Sequence, residues 1–155
     1  MADNGAPARP NVGYADFRDF VRRIDELGEL QRIDGADWNL EIGGLQEIKA
    51  LDGGVDGAPA LMFENIPGSP AGFRAMTGVL GSARRTAMAL GFPENSTAME
   101  LVRAYRDRMR DDFELTPPMT VKTGPVMENV ERDGDVDLMK FPAPFLHEDD
   151  GGRYI

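Results

Sequence analysis

Apolar residues recur at helical spacing where the patterned part of the chain begins: Phe17, Phe20, Val21, Ile24 and Leu27 fall on one face of a 3.6-residue repeat. Asp16 stands as an N-cap, Asp19 complements the positive end of the helix dipole and Gly28 supplies a left-handed stop, so the pattern predicts a helix. Residues 29–33 read as a short strand closed by the Asp34-Gly35 turn. Leu40, Ile42, Leu45, Ile48 and Leu51 predict a second helix, distorted in its first turn because Gly43 and Gly44 each cost about 1 kcal/mol relative to Ala. Gly53-Gly54 closes it.

The period then changes. Residues 60–63 and 73–80 are near-continuous apolar runs of strand length on either side of a Pro67-Gly68-Ser69-Pro70 turn, which predicts two buried strands. Ser82 caps a helix over 83–90 that Gly91 ends. Thr97 and Glu100 have capping-box spacing, and Ala98, Leu101, Val102, Tyr105 and Met109 continue as one apolar stripe. The charges from Arg103 to Asp112 alternate in sign and read as a solvated helix face. Past Thr116-Pro117-Pro118 the pattern turns extended, which puts a domain boundary near 115. Residues 1–12 are small, polar and Pro-containing and read as a disordered tail. At the other end Gly151-Gly152 feeds Arg153-Tyr154-Ile155, the opening of a strand with nothing yet to pair, as expected of the front part of something longer. Strands mixed with helices make the fold class α/β in the broad sense, α+β.

Composition narrows the function classes. At 155 residues the chain fits one domain, or one domain and the start of a second, and 18 Gly with 11 Pro imply many turns. A formal net charge of −10 repels phosphate backbones and anionic lipid. With no Cys there is no disulfide framework and no thiolate nucleophile, and with a single His a histidine-based triad or metal cluster rests on His147 alone. The N-terminus lacks an apolar export segment and no apolar run approaches the roughly 18 residues of a membrane span, so the expected compartment is the cytoplasm.

Four segments in order resemble the N-terminal part of the UbiD family of decarboxylases. They are Asp16-Phe-Arg-Asp-Phe20 with Gly28-Glu29-Leu30; Pro59-Ala-Leu-Met-Phe-Glu-Asn-Ile66; Gly81-Ser82-Ala83-Arg84-Arg85; and the stretch from Lys122-Thr-Gly-Pro-Val-Met-Glu-Asn-Val130 through Asp135-Val-Asp-Leu138 and Phe141-Pro-Ala-Pro144 to His147-Glu-Asp-Asp-Gly-Gly-Arg-Tyr-Ile155. The resemblance spans about 14–155. It implies reversible, non-oxidative decarboxylation of an aromatic or α,β-unsaturated carboxylic acid. Its cofactor is prenylated FMN, held with a divalent metal (Mn or Mg) and potassium, and the flavin provides the electron sink as CO2 departs. It also implies a mixed-sheet N-terminal domain with flanking helices over 13–115, then the first strands of a split β-barrel flavin-binding domain over 116–155, in a homo-oligomeric enzyme. The family's metal ligands, arginine and catalytic glutamates lie beyond the position matching Ile155, so no catalytic or metal residue is assigned. This segment alone is expected neither to hold the flavin tightly nor to decarboxylate, being completed by the rest of the barrel in the same or a second chain. The alternative is a non-catalytic binding or assembly subunit of a multi-subunit (de)carboxylase.

Within the chain, His147 and Tyr154 are the residues that the resemblance puts at the flank of the cofactor pocket. His147-Glu148-Asp149-Asp150 has metal-ligand chemistry, but four adjacent loop residues cannot all turn inward. Arg84 and Arg85 beside Ser82 have the chemistry of an anion site, and the plainer reading is capping with solvated arginines. Glu64 and Glu128, each beside an Asn, have general acid/base chemistry, and the plainer reading is structural hydrogen bonding. Met62, Met76, Met88, Met99 and Met109 are expected to fill core gaps. The apolar surface near 125–155 is expected to be adhesive in isolation.

Overall fold

The computed structural model describes residues 12–112 and 117–154. The tail over 1–11, the boundary near 115 and Ile155 lie outside the described residues. Among them, helices α1 (Phe17–Glu26), α2 (Glu41–Gly57), α3 (Ala83–Leu90) and α4 (Ala98–Asp107) surround strands β1 (Leu30–Asp34), β2 (Ala60–Glu64) and β3 (Ala75–Thr77). The sheet runs β1-β2-β3. β1 pairs parallel to β2, with Leu30 opposite Ala60 and Asp34 opposite Glu64, and β2 pairs antiparallel to β3, with Leu61 opposite Thr77. A parallel pair needs a long crossover, which α2 supplies, whereas the antiparallel pair closes through the Pro67-Gly68 turn region.

β2 is central and covered on both faces, so its successive side chains feed two different cores. Leu61 and Phe63 pack with Ile42, Ala36 and Ile66 beneath α2, while Ala60 faces Phe20, Ile24 and Met88 from α1 and α3. The expected strand over 73–80 contracts to three half-buried residues, because it lies at the edge of the sheet with a partner on one side only.

The helix ends follow their capping chemistry. Asp16 accepts from the Asp19 amide at 2.9 Å, Ser82 accepts from the Arg85 amide, and Thr97 and Glu100 form the reciprocal capping box. α2 is kinked at Gly54 (φ 63°), where its first segment was expected to stop. Gly43 is required there by packing: a Cβ would lie 2.7 Å from the Leu146 carbonyl carbon and closer still to its oxygen. The α4 stripe buries only Leu101, leaving Val102 and Tyr105 exposed. Arg108 is not solvated: its guanidinium lies 3.6 Å from the Phe92 ring centroid and donates to the Leu90 carbonyl at 2.6 Å.

Beyond 117 the described residues form no strand. They make 3-10 turns at Pro125–Met127, Asp133–Asp135 and Leu138–Lys140, and one isolated parallel bridge between Asn39 and Phe145. Arg153 and Tyr154, expected to open a strand, have no sheet partner, since strand pairing is a non-local interaction that local propensity does not supply. Most apolar side chains over 117–141 point outward, with Val126 85% exposed, whereas Ala143 is buried and Leu146 packs against the core.

Candidate functional site

The residues 141–154 fold back onto the helical layer and fix the surroundings of both predicted pocket residues. Leu40 donates its amide to the Phe145 carbonyl at 2.8 Å, Phe145 donates to the Trp38 carbonyl at 2.9 Å, and Leu146 packs into the α2-side core. Arg153 donates from Nε to the Ala143 carbonyl at 2.6 Å and stacks its guanidinium over Trp38 at 4.1 Å from the ring centroid.

This return path encloses two adjoining concavities along β3. One, of about 590 Å³, runs between Phe17, Met62, Phe73, Val79 and Phe141. The other, of about 340 Å³, lies between Arg74–Thr77 on one side and Phe141, Pro142, Ala143, Pro144 and Tyr154 on the other. Thr77 lines both this hollow and one beneath α2, and its hydroxyl is buried with no hydrogen-bond partner among the described residues, an arrangement that costs about 1–3 kcal/mol. Arg74 is half-exposed and its nearest carboxylate, Glu64, stands at 3.5 Å. Glu64 is held more closely by Arg32, at 3.1 Å.

Tyr154 thus flanks a pocket beside β3, whereas His147 lines a different hollow of about 250 Å³ with Gly43, Gln46, Glu47 and Leu146 against α2. The structure does not bring the two together. His147 is 60% exposed, its amide donates to Asp150 Oδ2 at 3.1 Å, and its Nδ1 stands 3.9 Å from the same oxygen. No group of three His, Asp or Glu side chains among the described residues is arranged to hold a metal. The described side chains therefore offer no ligand set for the divalent metal that the resemblance implies.

Ser82 caps α3 and Arg84 stays partly exposed, 3.6 Å from Glu29, as the plainer reading has it, whereas Arg85 differs from both readings. Arg85 is 1% exposed and its guanidinium is spent internally: Nη1 donates to Glu29 at 2.6 Å, Nη2 to the Ala58 and Gly78 carbonyls, and Nε to the Val79 carbonyl. Ser82 Oγ adds a 3.1 Å bond to the same Glu29 oxygen. Within the Gly-Ser-x-Arg-Arg motif Arg85 is a clasp joining the strand starts to α3, with four of its five N–H donors spent internally. Glu64 is ion-paired, Asn65 donates to Asp34 at 2.6 Å, and Glu128 is exposed after a 3-10 turn, so the two glutamates serve separate surroundings. Arg74, Thr77 and Arg153 were not foreseen, since an isolated Arg or Thr carries no periodic signal.

A family model described as the 3-octaprenyl-4-hydroxybenzoate carboxy-lyase N-terminal domain matches residues 21–105, and one described as the Rift-related domain of the same carboxy-lyase matches 119–155. The chain belongs to the UbiD family. Among UbiD-related proteins, it is 39% identical over 155 residues to pyrrole-2-carboxylic acid decarboxylase of Pseudomonas aeruginosa, covering 94% of this chain and 30% of that protein. Against ferulic acid decarboxylase 1 of Saccharomyces cerevisiae the identity is 29%, covering 90% of this chain and 29% of the relative. The fold superposes on vanillic acid decarboxylase of Sedimentibacter hydroxybenzoicus in its open form with a TM-score of 0.73 at 31% identity, covering 92% of this chain and 30% of that one. It also superposes on the UbiD-class enzyme HmfF from Pelotomaculum thermopropionicum in complex with prFMN, with a TM-score of 0.63 at 26% identity, covering 89% and 30%. The chain therefore spans about 30% of the length of these UbiD relatives. No helix among the described residues is long and apolar enough to cross a membrane.

Proposed function

We propose that this chain is the N-terminal part of a UbiD-type carboxy-lyase that reversibly decarboxylates an aromatic or α,β-unsaturated carboxylic acid with prenylated FMN. The observation that carries the reading is the succession of the two family matches, 21–105 then 119–155, along a fold that superposes on vanillic acid decarboxylase. In this reading 13–115 is the N-terminal domain and 116–155 begins the split-barrel flavin domain. The flavin, a divalent metal and potassium are held by groups outside this chain, and His147 and Tyr154 flank the cofactor pocket only once the barrel is complete. The outward apolar side chains of 117–141, such as Val126 and Leu138, support it, because exposed apolar surface of this kind marks a docking face. The assembled enzyme works in the cytoplasm as a homo-oligomer.

The test compares the 155-residue chain alone with the same chain joined to the remainder of a UbiD fold, both supplied with prenylated FMN, manganese and potassium. Flavin retention and CO2 release are measured with pyrrole-2-carboxylate, vanillate and ferulate. Retention and release by the joined protein alone are expected. Failure of the joined protein to release CO2 from any of the acids, with flavin bound, argues against the decarboxylase reading and for an assembly role.

A further inference from the structure

Five Asp-Gly steps fall among the described residues, and the fold restrains four of them. An aspartate can react with the amide of the residue that follows it when that nitrogen is free to reach Cγ, and glycine, having no side chain, crowds the approach least. Asp34 accepts from Asn65 at 2.6 Å, and the Gly35 amide that would attack it donates to the Glu64 carbonyl at 2.9 Å. Asp56 accepts from the Ala83 amide at 2.9 Å, and Asp150 accepts from the His147 amide at 3.1 Å. Asp52 lies inside α2, and Gly53 after it is packed so closely on Ala58 that even a Cβ would collide.

Asp133 is the exception. Among the described residues its carboxylate makes no hydrogen bond or ion pair and the Gly134 amide is unbonded, because the turn is held by Asp135 donating to the Arg132 carbonyl and Val136 to the Asp133 carbonyl. Both residues are exposed. Asp133 also holds φ at 51°, a conformation that residues other than Gly visit mainly when a short polar side chain bonds locally, which this one does not. The tip over 131–135 carries no apolar side chain, so it belongs to the polar rim rather than the core of any docking face.

We propose that Asp133 isomerises to isoaspartate and makes this turn a substrate for an isoaspartyl carboxyl methyltransferase. The Gly134 nitrogen bonds to Asp133 Cγ and water leaves, giving a cyclic imide. Water then reopens the ring at either carbonyl, so the two steps together neither add nor remove atoms. Opening at the carbonyl next to Cα routes the main chain through Cβ and Cγ and frees an α-carboxylate. An oxygen of that carboxylate takes the methyl group of S-adenosylmethionine, whose S–CH3 bond breaks as S-adenosylhomocysteine leaves. The inference does not depend on the decarboxylase reading.

Ageing of the 155-residue chain at neutral pH in heavy-oxygen water, folded and in concentrated urea, tests it by peptide mapping, since each ring opening installs one heavy oxygen at the site. In urea the five sites are expected to react at rates within about threefold of one another, each presenting the same Asp-Gly step. In the folded chain Asp133 keeps at least about half of its urea rate, while the other four slow at least about tenfold because they must open first. After ageing, the peptide containing Asp133 takes a methyl group from S-adenosylmethionine with an isoaspartyl methyltransferase. Gly134→Val, at a position where a Cβ meets nothing within 4 Å, slows Asp133 at least about tenfold through its β-branched side chain and leaves the other sites unchanged. A folded-chain rate at Asp133 that falls as far as the other four, faster reaction at any other Asp-Gly step, or an aged Asp133 peptide that takes no methyl group each overturns the proposal.

Discussion

Arg85 and Glu29, 56 residues apart in sequence, meet at 2.6 Å with the arginine side chain almost fully enclosed. Glu29 precedes β1 and its carbonyl accepts the Ala60 amide, so the pair ties the starts of two strands to the first turn of α3. Arg85 also donates to the Val79, Ala58 and Gly78 carbonyls, of which Gly78 accepts the Gly81 amide at 3.0 Å as well. Arg85→Met removes the shortest ion pair of Glu29, which keeps only Ser82 Oγ and the more distant Arg84, and strips the Val79 and Ala58 carbonyls of the Arg85 donor. With Glu29 itself still partly solvated, the expected loss is about 3 kcal/mol, at the lower end for broken buried pairs. Glu29→Gln, which keeps an acceptor, costs less. Urea unfolding midpoints at constant slope measure both.

Two adjacent glycines in α2 have opposite expectations. A Cβ on Gly43 drives into the Leu146 backbone, whereas one on Gly44 meets nothing within 4 Å. Gly43→Ala therefore displaces 145–147 from α2 and lowers stability by about 1–3 kcal/mol. Gly44→Ala raises stability by about 0.5–1 kcal/mol through helix propensity alone. Thermal unfolding ranks the two against the unaltered chain, and proteolysis near His147 reports the displaced segment only in the first.

The contrast between these glycines shows what the sequence makes legible. Helix ends are written locally: Asp16, Ser82, Thr97, Gly28 and Gly91 cap where their side chains or positive φ dictate. β2 was readable because a continuous apolar run has few homes besides a two-sided strand, and β1 because the Asp34-Gly35 turn closes a short run. What was not readable depends on distant partners. Gly43 looked like a helix defect until Leu146 arrived, Arg85 looked solvated until Glu29 and three carbonyls closed around it, and the run 73–80 shortened because its outer edge has no neighbour. The Gly81–Arg85 motif was legible as part of a resemblance, and its Arg85 acts here as a structural clasp. The pocket beside β3 is assembled from Arg74 and Tyr154, 80 positions apart, by the return of 141–154, and no spacing in the sequence announces it.

The capping box of α4 makes a pH-dependent element. Glu100 accepts from the Thr97 amide at 2.9 Å and the Thr97 hydroxyl at 2.8 Å, and these bonds, the backbone one foremost, hold its carboxyl below the ordinary value of 4.5. A lowered folded-state value means that the contribution is fully present above about 4.5 and is lost as pH falls through that folded value. Amide exchange at Glu100 and Leu101 is expected to accelerate over that acidic interval beyond the intrinsic trend, and to lose this pH dependence in Glu100→Gln. Thr97→Ala removes the other half of the box and costs about 1 kcal/mol at neutral pH.

The single tryptophan reports on the return of 141–154. Trp38 lies under the Arg153 guanidinium at 4.1 Å, gives its carbonyl to the Phe145 amide and packs against the core beneath α2. Arg153→Ala removes the cation and the Nε bond to Ala143, while Arg153→Lys keeps a charge but not the planar stack. The stack is worth about 0.5–1 kcal/mol, too little to unfold the chain but enough to loosen one segment. Trp38 emission is therefore expected to shift to longer wavelength and become more accessible to acrylamide in Arg153→Ala, with Arg153→Lys between it and the unaltered protein. The overall unfolding midpoint should move little in either variant, since the α1 and α3 side of the sheet does not touch this contact. Tyr154 is carried by the same turn, its amide donating to the Pro144 carbonyl at 3.3 Å, so loss of Arg153 also opens the rim of the β3 pocket. Unchanged tryptophan quenching in Arg153→Ala excludes Arg153 as the fastener of this segment.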